Sequence, residues 1–258
     1  MKKRSLLFSV IFLFLFSNLF SNTLILKQYF EEDKITNIEI FLQNEQLIIE
    51  KYMGEELLLE VYSNFSALSP SINTENDTLI IKNSDKEYES PLYCTVKLYI
   101  PVNFNPTSFS INNVQGITKI SFLRCDDLSI FTNNGKLELE NLSSKNLKII
   151  SNLSDINCNT TNCETFYIQS YNANINLTLN KNNYYFSKVY TTHGNINITY
   201  KANTSYPFLV LSEKPVIRNN KSYKSKIYIN PSETKSLTKN ENLLVIESQK
   251  GEIILNAD

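Results

Sequence analysis

The chain has 258 residues, 42% of them hydrophobic, and a formal net charge of −1. That supplies apolar surface for one elongated domain or two compact ones, rules out a disordered chain, and offers no basic face for nucleic acid. A single histidine excludes a histidine-based metal cluster.

The first element read along the chain is a leader. Lys2, Lys3 and Arg4 precede an apolar run over 6–16 and a polar stretch over 17–22, the order of a secretory signal. The expectation is an exported protein, in the periplasm, on the outer surface or secreted, with residues 1–21 as signal peptide and cleavage after Ser21. Leu19 is a poor match to the small residue such cleavage uses. The apolar run is too short for a membrane span, and no later stretch approaches the roughly 18 apolar residues a helix needs. No cysteine closely follows the run, so no lipid-attachment site is expected. Removing the leader takes the net charge from −1 to −4.

Residues 22–107 read as an N-terminal β segment and cap. Over 38–61 the text is IEIFLQNEQLIIEKYMGEELLLEV, three apolar bursts split by Asn44 and Gly54, which is the pattern of strands and turns. A short strand is expected over 79–82 and another over 95–101, where Pro101 closes TVKLYIP.

Residues 108–200 carry a repeat. Phe109, Leu128, Leu147 and Phe166 open near copies of LxIxTxxGxIxL at a constant interval of 19. Two places on stand Ile111, Ile130, Ile149 and Ile168, and seven places on stand Gly116, Gly135, Ser154 and Ala173. Nine and eleven places on come Leu137 and Leu139, Ile156 and Cys158, and Ile175 and Leu177, with Thr118 and Ile120 in the first copy. After a two-residue insertion the pattern resumes at Ser187 with Val189, Gly194, Ile196 and Ile198. Residues 201–242, punctuated by Pro207, Pro215 and Pro231, read as an irregular excursion. The last copy, within 243–258, has Leu244, Ile246, Gly251, Ile253 and Leu255. Helical spacing is absent after the leader, so almost no helix is expected.

Like residues recurring at a fixed interval imply parallel, in-register stacking. Nineteen residues at about 3.3 Å each give a perimeter near 63 Å, enough for three strand faces. The fold class is therefore all-β: a right-handed, single-stranded β-solenoid, parallel β-helix-like, with about 19-residue rungs, an N-terminal β segment and a C-terminal capping rung. The polar column four places after each start (Asn113, Thr132, Ser151, Ser170, Thr191, Ser248) suits a corner. The glycine column that follows suits positive φ or close packing.

Cys94, Cys125, Cys158 and Cys163 raise the question of disulfides in an exported chain. Cys125 and Cys163 share a column two rungs apart, roughly 9.6 Å at ~4.8 Å per rung, beyond bridging distance. Cys158 stands in an apolar column, which favours a small buried hydrophobe; Cys158 with Cys163 is the pairing left to test. Arg124, Asp126 and Asp127 form the densest charged cluster. Their equivalents are Ser143, Lys145 and Asn146, then Asn162, Glu164 and Thr165, so only Glu164 continues a carboxylate row of the kind solenoid polysaccharide enzymes use. A solvated turn is the favoured reading there, and an exposed turn is the favoured reading of His193, since no GxSxG elbow accompanies it. Sequons at Asn64, Asn76, Asn141, Asn152, Asn176 and Asn197 give glycosylation as one reading, and chance in a composition rich in Asn, Lys, Ile and Ser is the favoured one. Tyr171, Tyr184, Tyr185 and Tyr190 offer a candidate adhesive surface.

The segment IEIFLQNEQLIIEKYMGEELLLEV, the strand TVKLYIP and the LxIxTxxGxIxL copies over 128–139 and 244–255 together resemble bacterial putative adhesins of the DUF4097 and DUF2807 type. The resemblance spans nearly all of the mature chain. It implies a β-solenoid envelope protein with an adhesive role, and it carries over no catalytic, cofactor or metal residues. Ser154 and Ala173 depart from the family's glycine. The expected function is a non-enzymatic exported envelope or surface protein. Its expected partner is a surface ligand, protein or glycan, with end-to-end self-association possible because stacked coils have open edges. An envelope scaffold and a carbohydrate-active solenoid enzyme are the alternatives.

Overall fold

Alternation of apolar and polar residues turns nearly every segment into a half-buried strand. NIEIFL, TVKLYIP and SFSINN each bury every second side chain, as a pleated chain with one wet face must. A computed structural model describes residues 23–64, 69–83, 94–180, 185–201, 207–218, 227–229 and 243–257. The signal segment 1–21 and Tyr184 lie outside the described residues.

The strands in chain order are β1 (Thr23–Phe30), β2 (Asn37–Leu42), β3 (Gln46–Tyr52), β4 (Leu57–Ser63), β5 (Ser71–Glu75), β6 (Thr78–Lys82) and β7 (Cys94–Pro101). Then come β8 (Ser108–Asn113), β9 (Ile117–Ser121), β10 (Arg124–Thr132), β11 (Lys136–Ser151), β12 (Ile156–Ser170), β13 (Ile175–Leu179), β14 (Ser187–Thr191) and β15 (Ile196–Tyr200). The last are β16 (Phe208–Leu211), β17 (Lys214–Arg218), β18 (Ile227–Ile229), β19 (Leu244–Ser248) and β20 (Glu252–Ala257). The helical content among the described residues is a 3-10 turn at Glu32–Lys34.

All twenty strands join one hydrogen-bonded sheet, which curls back on itself in two parallel stacks. The first stack runs β6, β2, β8, β10, the second half of β11, the second half of β12, β14, β19, β16, β18. The second runs β7, β3, β9, the first halves of β11 and β12, β13, β15, β20, β17. Leu128 pairs with Leu147 and Ile130 with Ile149; Leu147 then pairs with Phe166 and Ile149 with Ile168. Like lies on like, so the inward columns make continuous aliphatic ladders: Ile111, Ile130, Ile149, Ile168, Val189 and Ile246 are all buried. Each contributes roughly 1.5–3 kcal/mol.

The corners explain the polar column. Asn113, Thr132, Ser151, Ser170, Thr191 and Ser248 are all buried, and the side chains of Asn113, Ser151, Thr191 and Ser248 bond backbone groups at the corner. Gly116 N–H donates to Asn113 Oδ1 at 3.2 Å, Ser154 N–H to Ser151 Oγ at 2.9 Å, and Gly251 N–H to Ser248 Oγ at 2.9 Å. Close packing, not positive φ, accounts for the glycines: no glycine has positive φ. A Cβ on Gly135 would stand 2.1 Å from the carbonyl oxygen of Gly116 one rung below, and on Gly251 1.8 Å from that of Gly194. Where Ser154 replaces glycine, its hydroxyl accepts from Gly135 N–H at 2.5 Å. A second corner turns at Phe122 and Asn141, nineteen residues apart, with φ of 57° and 52°.

Two expectations about the ends of the coil are corrected. The rung at β19 and β20 does not cap the coil, because β19 pairs on one side with β14 and on the other with β16, and β20 likewise lies between β15 and β17. The chain runs outward through β16, β17 and β18, all within 201–242, before returning to fill the gap. At the other end, β2 with β3 and β6 with β7 are themselves parallel layers of the coil, and the antiparallel strands β5, β4 and β1 lie outside them. The four buried cysteines are thiols with no disulfide between them, as the buried-hydrophobe reading of Cys158 has it. Cys158 and Cys163 both lie in β12, on either side of the corner between its two halves.

Candidate functional site

Because the inward residues are committed to the core, any surface chemistry belongs to the outward columns. On the first stack these are Asp127, Ser129 and Phe131 in β10, Asn146, Lys148 and Ile150 in β11, Thr165, Tyr167 and Gln169 in β12, and Lys188 and Tyr190 in β14. Each stands beside its counterpart in the next rung.

The outermost column is fixed by its own hydrogen bonds. Thr165 Oγ1 donates to Asn146 Oδ1 at 2.7 Å, and Asn146 Nδ2 donates to Asp127 Oδ1 at 2.6 Å. A groove of about 410 Å³ runs over this ladder, lined among others by Tyr167, Phe186 and Lys188. Tyr167 is 38% exposed and Phe186 47%, and the Tyr167 hydroxyl is held by Gln169 Oε1 at 2.7 Å. The β12–β14 register is offset by 21 instead of 19, so Phe186 occupies the place that continues Asp127, Asn146 and Thr165. The two-residue insertion thus ends the polar ladder on an aromatic wall.

A second, polar hollow of about 180 Å³ lies around the neighbouring corner, lined by Arg124, Asp126, Ser143, Lys145, Asn162 and Glu164 with buried Cys125 beneath. Of the charged cluster singled out in the sequence, Arg124 and Asp126 lie here with Lys145 and Glu164, while Asp127 lines the groove. Lys145 Nζ meets Asp126 at 2.9 Å, and that hydrogen bond raises the lysine's pKa. The hollow holds two cations and two carboxylates. Cys125 offers no nucleophile, since burial pushes its thiol up to about 12. Among the described residues no group of three His, Cys, Asp or Glu side chains is placed to hold a metal.

Tyr171 is 51% exposed at a corner, with its ring centroid 5.9 Å from that of His193, and Tyr185 is exposed beside Phe186. Tyr190 lies partly exposed under the Lys188 ammonium at 5.1 Å. Phe131, Tyr167 and Phe186 were not singled out from the sequence. The signal for them was available: an apolar residue in an outward column of an otherwise alternating strand, and the insertion before Ser187.

On the second stack the outward column of the central rungs is polar. Lys119, Glu138, Asn157, Asn176 and Asn197 stack in that order, and Asn176 Nδ2 donates to Asn157 Oδ1 at 2.9 Å.

Comparison with known proteins agrees with this architecture. A putative adhesin of Bacteroides fragilis is similar with a TM-score of 0.50 at 12% identity, over 90% of this chain and 97% of that one. A putative adhesin of Parabacteroides distasonis is similar with a TM-score of 0.50 at 10% identity, over 90% and 97% respectively. At such identities the likeness is one of fold. No curated protein matches the chain. No helix among the described residues is long and apolar enough to cross a membrane. The model of the Toastrack DUF4097 family matches residues 102–255, more than half of the sequence, and the chain belongs to that family.

Proposed function

We propose that this protein is an exported, non-catalytic bacterial surface or envelope protein that adheres through the outer face of β10, β11, β12 and β14. In this reading the coil is a right-handed solenoid of about 19-residue rungs, residues 1–21 are its signal, and the rungs are a rigid rack for display. The observation that carries the reading is the exposure of Phe131, Tyr167 and Phe186 along the outward columns of the first stack. Outward aromatics beside fixed polar groups are what binding surfaces use, and a monomer gains nothing in folding from leaving them wet. The adhesin names of the two similar structures point the same way.

The test is a binding screen of the chain from Asn22 onward against immobilised matrix proteins and a glycan array, with product analysis of each glycan bound. Saturable binding without turnover is the expected result. Cleavage that is lost in Asp127→Asn would replace this reading with an enzyme. A second reading, a self-assembling scaffold, draws on the terminal strand β18, which among the described residues pairs with β16 alone. Sedimentation coefficients that rise with concentration in the absence of ligand would favour it.

A further inference from the structure

The groove over β10, β11, β12 and β14 has the chemistry of a glycan site, and we infer that it binds a neutral, linear polysaccharide laid across the rungs. The inference rests on the adhesive reading and names its ligand class.

Three observations converge on that class. The first is the pairing of rings with fixed polar groups. A pyranose has an apolar C–H face that stacks on an aromatic ring and an equatorial rim of hydroxyls that both donate and accept. The groove offers Tyr167 and Phe186 for the face and the ladder of Asp127, Asn146 and Thr165 for the rim. Those polar side chains already hold one another at 2.6–2.7 Å, so binding orders little that is not already ordered. Pockets with apolar walls and a few convergent polar groups are the usual form of a small-ligand site.

The second is periodicity. Rungs stack at ~4.8 Å, close to the advance of one pyranose along a linear chain, so successive sugars meet successive members of the ladder. The two-residue insertion before Ser187 stops the ladder and stands Phe186 across its end, which gives the groove a terminus.

The third is charge. The polar hollow next to the groove shares its rungs, since Asp126 adjoins Asp127, Lys145 adjoins Asn146 and Glu164 adjoins Thr165. It balances Arg124 and Lys145 against Asp126 and Glu164. The groove is lined by Asp127 and Lys148 as well as by Lys188, whose ammonium is engaged by Glu247 at 2.9 Å. A surface without a dominant sign selects against heavily sulfated or uronate chains, which need a cationic track, and suits an uncharged one.

The experiment is calorimetric titration of the chain from Asn22 onward with cellohexaose, chitohexaose and mannohexaose, each compared with its disaccharide. One hexasaccharide is expected to bind saturably and at least about tenfold tighter than its disaccharide, because only the longer chain spans several rungs. Tyr167→Ala and Phe186→Ala should each weaken it about tenfold, the loss of one aromatic anchor. Tyr167→Phe should retain binding, and Asn176→Ala on the opposite face should leave it unchanged. Circular dichroism melts of all variants control for folding. Three results would overturn the inference: silence from every hexasaccharide, equal affinity for disaccharide and hexasaccharide, or binding indifferent to both aromatic variants. Binding confined to sulfated glycans and abolished by salt would overturn it too. A protein ligand captured in the adhesion screen, with all neutral glycans silent, would overturn the glycan site and leave the adhesive reading standing.

Discussion

The two stacks of the coil are alike inside and unlike outside. Their inward columns, Ile130, Ile149, Ile168 and Val189 on the first and Leu139, Cys158, Leu177 and Ile198 on the second, are equally buried aliphatics and a thiol. Their outward columns diverge, with Ser129, Lys148, Tyr167 and Lys188 on the first and Lys119, Glu138, Asn157, Asn176 and Asn197 on the second. Because side chains alternate strictly between faces, one column can hold the fold while its neighbour varies. The first stack spends that freedom on rings and a groove, and the second on amides that hydrogen-bond along the coil.

If the interiors are equivalent, deleting an inward side chain should cost the same on either stack. Ile149→Ala and Leu139→Ala are each expected to lose about 2–5 kcal/mol, the range for removing a buried aliphatic into a cavity. Urea unfolding of both variants measures this. A cost below about 1 kcal/mol on one stack alone would show that the two sides do not share one cooperative core.

Next in size comes the corner that joins the stacks. Gly135→Ala places a methyl 2.1 Å from a backbone carbonyl that cannot rotate away, and overpacking of that kind costs about 1–3 kcal/mol. At Gly54 the nearest atoms to the same methyl belong to the end of the Tyr52 side chain, which can swing aside. Gly54→Ala should therefore be clearly milder in the same assay, and equal costs would remove close packing as the reason for the glycine column.

The corner also shows what was legible in the sequence. Columns such as Ile111 to Ile168 could be read because parallel stacking repeats each environment, so each rung restates the requirement of the one before. The N-terminal layers escaped that reading for a local reason. Ile38 pairs with Phe109 and Ile49 with Ile120, but the turn between them has no glycine or hydroxyl. Glu45 takes over instead, its Oε2 accepting from Gln43 N–H at 2.7 Å and Asn44 N–H at 2.9 Å. The place of the last rung was hidden for another reason. Ile246 fits Val189 on one side and Val210 on the other, and apolar columns do not record which neighbour was laid down first. In the candidate site, Arg124, Asp126 and Lys145 stood out as charges, whereas Phe186 acquires its meaning only when the register is known.

At the second corner the left-handed backbone is occupied by Asn141 in one rung and Phe122 in the one before. Asparagine tolerates this conformation and a bulky ring does not. Asn141→Ala should cost about 1 kcal/mol, and Phe122→Asn, at a ring that is 59% exposed, should recover up to about 1 kcal/mol. Paired thermal melts read both signs. A loss at Phe122→Asn would mean that the exposed ring packs more than it strains.

The smallest expected effect separates the outer faces by pH. On the second stack Glu138 lies between Lys119 at 2.7 Å and Lys136 at 2.5 Å. Their hydrogen bonds, Lys119 first, hold its carboxyl below the ordinary value. A carboxylate whose pKa is lower in the folded chain stabilises it above the unfolded value, near 4.3, and that contribution disappears as pH falls through the folded value. With its side chain 31% exposed, the group is screened by solvent, so the pair contributes no more than about 0.5 kcal/mol. The stability difference between the native chain and Glu138→Gln should thus be about 0.5 kcal/mol at neutral pH and disappear as pH falls through the folded value. A Glu138→Gln difference that stays constant on acidification would mean that the amide fails through lost packing or hydrogen-bond geometry, and that charge plays no part in what distinguishes the polar face.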